Sequence, residues 1–123
     1  MTTKKRKPRI FTEDHRRRLE RAVVLYLALC YRERTPARVS EFAAFLRRTP
    51  EYLTRVTWAV FGVTLHTYLR NKQLQEAERL LLTTPMKIKK IALHAGFGTT
   101  ATLYRIFKET HGMPPGQFRK VRK

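Results

Sequence analysis

The sequence is short of the residues that build several classes of protein. One cysteine, Cys30, stands in 123 residues, so an intramolecular disulfide is impossible. No Cys or His pair sits at metal-ligand spacing, which leaves a disulfide scaffold or a zinc finger without support and points to a reducing compartment. The longest apolar runs, such as residues 22–30, fall well short of the roughly 20 residues a bilayer span needs, and no membrane partner is expected. That run is separated from the basic start of the chain by Glu13, Asp14, Arg16, Arg17 and Arg18 and lacks a small-residue cleavage site, so it does not read as a secretory signal. The four histidines, His15, His66, His94 and His111, have no carboxylate or cysteine partner at catalytic spacing. No enzyme activity, metal or cofactor is expected. Glycine occurs only 5 times, and no segment alternates apolar with polar residues. An all-α fold follows.

Negative charge is the scarcest commodity. Lys and Arg number 27 against 9 Asp and Glu, a formal charge of +18 and a pI of about 11.1. With 42% of residues hydrophobic, the chain has the apolar material to fold, so the charge is not the mark of a disordered polymer. Small soluble domains usually carry a net charge of about 2 to 8. An excess this large attracts polyanions, and nucleic acid is the expected partner.

Residues 1–11 hold Lys4, Lys5, Arg6, Lys7 and Arg9 and are expected to form a disordered basic arm. From Thr12, a helix cap followed by Glu13 and Asp14, the apolar positions Leu19, Ala22, Val23, Tyr26, Leu27 and Cys30 recur at three and four, the period of a one-sided helix. Thr35-Pro36 ends it. A short helix is expected over Val39–Leu46 with Ser40 as cap, then one opened by Thr49-Pro50 and stopped at Gly62, because Thr suits the cap and Pro the first helical position. Residues 65–82 predict a longer helix whose apolar positions cover a broad arc, apt to pack on two sides. Thr84-Pro85 breaks it. Helices over 87–94 and 99–110 follow around a turn at Gly96-Phe97-Gly98, and Gly112 with Pro114-Pro115 leaves a basic tail.

A repeat gives these helices an arrangement. Thr49, Leu53, Arg55 and Gly62 recur as Thr99, Leu103, Arg105 and Gly112 at an offset of 50, continuing through Val63 and Met113, Tyr68 and Phe118, and Arg70 and Lys120. Ahead of them Ala43 matches Ala92 at an offset of 49. Short helix, tight turn, second helix, glycine: the repeated unit is a helix-turn-helix, whose second helix can enter a DNA major groove. The expected organisation is a basic arm (1–11), an N-terminal helix with the first helix-turn-helix (12–63), a long linker helix (64–83), and a second helix-turn-helix with a basic tail (84–123).

The stretch from Ile91 through Ala95-Gly96-Phe97, then Leu103-Tyr104-Arg105-Ile106-Phe107 and Gly112-Met113-Pro114-Pro115-Gly116-Gln117-Phe118-Arg119, resembles the second DNA-binding motif of the AraC/XylS family of bacterial transcription regulators. Residues 68–81 are similar to that family's linker helix, and the resemblance covers residues 39–119. The first motif departs from it at two places. Arg47 stands where members usually have a turn glycine, and Thr57 where they have an aromatic, with Trp58 or Phe61 as the substitute for that anchor.

Carried over by position, the resemblance implies base contacts by Glu51, Thr54 and Arg55 in the first motif and by Thr100, Ala101, Tyr104 and Arg105 in the second. Arginine can bond bidentately to guanine, Glu51 can accept from cytosine, and Thr or Ala can meet a thymine methyl. Phosphate contacts are expected from Arg48, Lys87, Lys89, Lys90, Lys108, Arg119 and Lys120. The implied function is a sequence-specific regulator of transcription, an activator beside RNA polymerase, reading two successive major-groove segments of double-stranded DNA as a monomer in the bacterial cytoplasm, on the nucleoid. A nonspecific architectural DNA-binding or RNA-binding protein is the alternative. With about 38 residues ahead of the first motif, no ligand-sensing domain is expected.

Overall fold

The computed structural model describes residues 13–122, whose only regular elements are α-helices joined by short turns. Seven helices follow in order among them: α1 (Glu13–Glu33), α2 (Val39–Leu46), α3 (Pro50–Phe61), α4 (Leu65–Thr83), α5 (Ile88–His94), α6 (Thr100–His111) and α7 (Pro115–Arg122). The expected basic arm and the Thr12 cap lie outside the described residues.

Helix ends follow from local chemistry. Thr49 and Thr99 both stand in extended backbone, and each Oγ1 accepts a 3.1 Å bond from the amide three residues on, Tyr52 or Thr102. Gly62 and Gly112 close the same two helices, each at φ 74°, a left-handed conformation that costs a residue without Cβ little. The repeat seen in the letters is thus a repeat of caps. Ser40 is not the cap of α2. Arg38 takes that position with no side-chain cap bond, and the phenol of Tyr26 holds it, accepting from the Arg38 amide at 3.0 Å and donating to its carbonyl at 3.3 Å.

The described residues form two compact units. One joins the chain up to Tyr26 with Arg38–Arg70; the other joins Leu27–Ala37 with Asn71 onward. The division falls inside α1 and α4. The helix read as a linker supplies Leu65, Tyr68 and Leu69 to the buried set of the first unit and Leu74, Ala77, Leu80 and Leu81 to the core of the second.

In the first unit Leu19, Val23, Phe42, Leu53 and Val56 are buried, Tyr26 packs on Phe42 at 5.2 Å between ring centroids, and Phe61 stacks on Tyr68 at 4.7 Å. Arg16 lies over the Phe61 ring at 4.7 Å and donates to the Val60 carbonyl at 2.9 Å. In the second unit Leu74, Ala77, Leu80, Leu81, Ile91, Ala92, Phe97, Leu103, Ile106, Phe107 and Phe118 form one core. Gln73, itself buried, donates to the Gly96 carbonyl at 2.8 Å, and so does the Ala37 amide at 2.8 Å.

Gly112 and Pro114-Pro115 end α6 as expected, but the basic tail after them carries a further helix: Pro115 opens α7, where a missing N–H costs nothing. Phe118 anchors it, edge-on to Phe107 at 5.0 Å and tilted against His111 at 4.9 Å. His111 and Phe118 stand fifty residues after the stacked pair Phe61 and Tyr68, so the repeat extends into this helix.

Candidate nucleic-acid interface

Both second helices present the same exposed stripe. On α3, Leu53, Val56 and Thr57 are buried, while Glu51, Arg55 and Trp58 are exposed and Thr54 is half-buried. On α6, Leu103, Ile106 and Phe107 are buried, while Ala101, Tyr104, Arg105 and Lys108 are exposed. The spacing i, i+3, i+4, i+7 places each exposed set on one helix face. Of the base-contact residues expected from sequence, Glu51, Arg55, Ala101, Tyr104 and Arg105 are exposed, while Thr54 and Thr100 are half-buried, Thr100 in the first turn of α6 beside its cap Thr99.

The expected aromatic substitution at Thr57 takes a different form. Thr57 itself is fully buried, its hydroxyl donating to the Thr54 carbonyl at 3.1 Å. Trp58 is 56% exposed and anchors nothing in the core; it extends the outer stripe where the second copy has Lys108. Phe61 is half-buried against Tyr68. Of the two aromatics offered for that anchor, Trp58 is thus a surface residue, aligned by the offset of 50 with the solvent-facing Lys108, and Phe61 is the one that packs.

Tyr52 organises the cations of the first unit. Arg48 lies 5.7 Å and Arg55 5.8 Å from its ring centroid, distances at which a guanidinium is attracted to an aromatic face. Positions 48, 52 and 55 are spaced by four and three, a signal present in the sequence itself. In the second unit Arg105 Nη1 is 3.9 Å from Glu109 Oε2, both well exposed, a pair too solvated to hold the arginine from another anion.

The phosphate candidates divide. Arg48, Lys87, Lys89, Lys90, Lys108 and Lys120 are exposed. Arg119 is half-buried, and its guanidinium donates to the Leu81 and Thr84 carbonyls at 3.0 Å each, satisfying carbonyls at the end of α4. Among the described residues no group of His, Cys, Asp or Glu is placed to hold a metal, and no helix is long and apolar enough to cross a membrane.

Residues 42–121 match the family model described as a helix-turn-helix domain. The chain is 39% identical over 69 residues to the probable transcription factor PqrA of Proteus vulgaris, covering 56% of this chain and 57% of that protein. It is 30% identical over 96 residues to the uncharacterized HTH-type transcriptional regulator YisR of Bacillus subtilis, covering 78% of this chain and 33% of that one. The chain thus spans between a third and somewhat over half of these relatives. Among solved structures it is similar in fold to the DNA-binding domain of AdpA in complex with a target DNA, with a TM-score of 0.66 at 21% identity, covering 84% of this chain and 90% of that one.

Proposed function

Because the chain belongs to the AraC/XylS-type helix-turn-helix family, we propose that it regulates transcription by binding specific double-stranded DNA, each unit laying its second helix in a major groove. The duplicated outward stripe carries this reading: α3 and α6 start from the same Thr cap, end at the same Gly cap, and present an arginine, Arg55 or Arg105, at the same register. An arginine there suits guanine O6 and N7, Glu51 a cytosine amine, and Ala101 or Thr54 a thymine methyl. Thr100 and Tyr104 complete the second set. Arg48, Lys87, Lys89, Lys90, Lys108 and Lys120 serve phosphates, which set position and salt dependence without reading sequence. Arg119, with two carbonyls already on its guanidinium, is the least available of the seven. The reading extends to a monomer spanning two successive major-groove segments, and to an activator that touches RNA polymerase.

Selection of bound fragments from a random duplex pool tests the proposal. The expected product is an asymmetric motif with two blocks about 10 base pairs apart, preferred over random duplex by about 10³ or more at fixed salt. Equal affinity for random duplex or for RNA would replace it with the architectural or RNA-binding reading. Transcription in vitro from a promoter carrying the motif, with and without the protein, decides activation.

A further inference from the structure

A wide-mouthed, solvent-open cavity of about 700 Å³ in the second unit is lined by the end of α1, the connection before α5, and α5 itself. Tyr31, Pro85, Met86 and Leu93 give it an apolar wall, and Arg34, Lys87, Lys89 and Lys90 line it with positive charge; no carboxylate lines it. The wall is braced. The Tyr31 ring is stacked on His94 at 3.6 Å between centroids, and Met86 packs against the core of the unit. Its volume falls in the range of small-ligand sites, about 300–1,000 Å³. A bare phosphate would leave the apolar wall unused, and a neutral hydrocarbon would gain nothing from the four exposed cations around it.

We infer that this cavity binds an amphipathic organic anion, an aromatic or medium-chain aliphatic carboxylate. Its body lies against Tyr31, Pro85, Met86 and Leu93, and its carboxylate stands among Arg34, Lys87, Lys89 and Lys90. Three of those cations are ones assigned above to DNA phosphates. Anion and duplex therefore compete, and the ligand releases the protein from DNA; this second step rests on the function proposed above.

Titration of the full chain with 1-naphthoate, without DNA and followed by amide NMR shifts, tests the site. Saturable binding with shifts confined to residues 31–34 and 84–94 is expected. The neutral isostere 1-naphthalenemethanol should bind at least about tenfold more weakly, the weight of a hydrogen bond to a charged group. Met86→Glu should abolish binding. Lys89→Gln, an exposed change that leaves the core alone, should weaken it about three- to fivefold. Absence of saturation, equal binding of the alcohol, or shifts centred on other residues overturns the site. With a selected duplex bound at fixed salt, naphthoate should release the wild-type protein and leave the Met86→Glu complex intact; retention of the wild-type complex at saturating naphthoate overturns the competition. Failure to prefer any duplex would refute the DNA reading while leaving the naphthoate titration to stand on its own.

Discussion

Arg47 and Gly96 occupy the same place in the two copies of the repeat and the same left-handed backbone region, at φ 58° and 78°. The main chain closes both turns alike: Arg47 N donates to the Ala44 carbonyl and Gly96 N to the Leu93 carbonyl, while Arg48 N and Phe97 N reach Ala43 and Ala92. The turn geometry survives the loss of its glycine in the first copy, at the cost of strain in an L-residue. Arg47→Gly should therefore stabilise the protein by about 0.5–1 kcal/mol in urea unfolding. Gly96→Ala should do the opposite, by about 2–3 kcal/mol, because the new Cβ would lie 2.8 Å from Leu27 Cδ2 and 3.1 Å from the Ala37 Cβ. An Arg47→Gly variant less stable than wild type would show that the arginine side chain contributes more than its backbone costs.

Base readers and phosphate holders should separate in mutant affinities. Arg105→Ala is expected to lose about 1–3 kcal/mol on the selected site and relax the preference at one base pair. Lys90→Ala should weaken selected and random duplex alike and reduce the salt slope by about one. Equal losses on both duplexes for both variants would remove Arg105 from the reading face.

Trp58 is the chain's single tryptophan and lies on the stripe that holds Arg55. Its fluorescence should respond when the selected duplex is added and stay unchanged with a duplex altered in the block read by α3. Trp58→Ala should leave stability within about 0.5 kcal/mol, as for other exposed positions, while weakening binding. An unchanged spectrum at saturating duplex would place the first unit's stripe off the DNA.

Phe118 tests the unexpected last helix. Buried against Phe107 and His111, it should cost about 3–4 kcal/mol when cut to alanine, with loss of α7 helicity by NMR. A cost near that of an exposed residue would mean that the segment is the tail its prolines suggested.

Acidity should act through His94. Burial, then nearby Lys90, pushes its pKa below the usual value of 6.5. Folding thus disfavours its protonated form, so the unfolded chain binds more protons in the window below about 6.5, and stability should fall as pH is lowered through it. In His94→Gln that part of the pH dependence of urea unfolding should vanish; an unaltered slope would assign it to another group.

The helices and their pairing are legible in the residues because their causes are local. Thr49 and Thr99 cap within three residues, Gly62 and Gly112 need only their own backbone, and the apolar spacing of α3 and α6 sets which face turns outward. The outward placement of Arg55 and Arg105 follows from that spacing alone. Tertiary structure decided what rests on distant partners. Arg119, one of seven similar cations in the sequence reading, is distinguished by carbonyls 35 and 38 residues away. Arg38, not Ser40, starts α2 because Tyr26, 12 residues earlier, meets its backbone. Pro114-Pro115 follows the stop of α6, but a further helix after it depends on the Phe107 ring, which gives Phe118 a surface to bury against. A helix period or a cap involves atoms within one turn of chain, and the sequence by itself determined those. Which cations stay available to an anion, and which wall of α1 and α5 surrounds a cavity, depend on how segments far apart in the chain pack, and only the fold decided them.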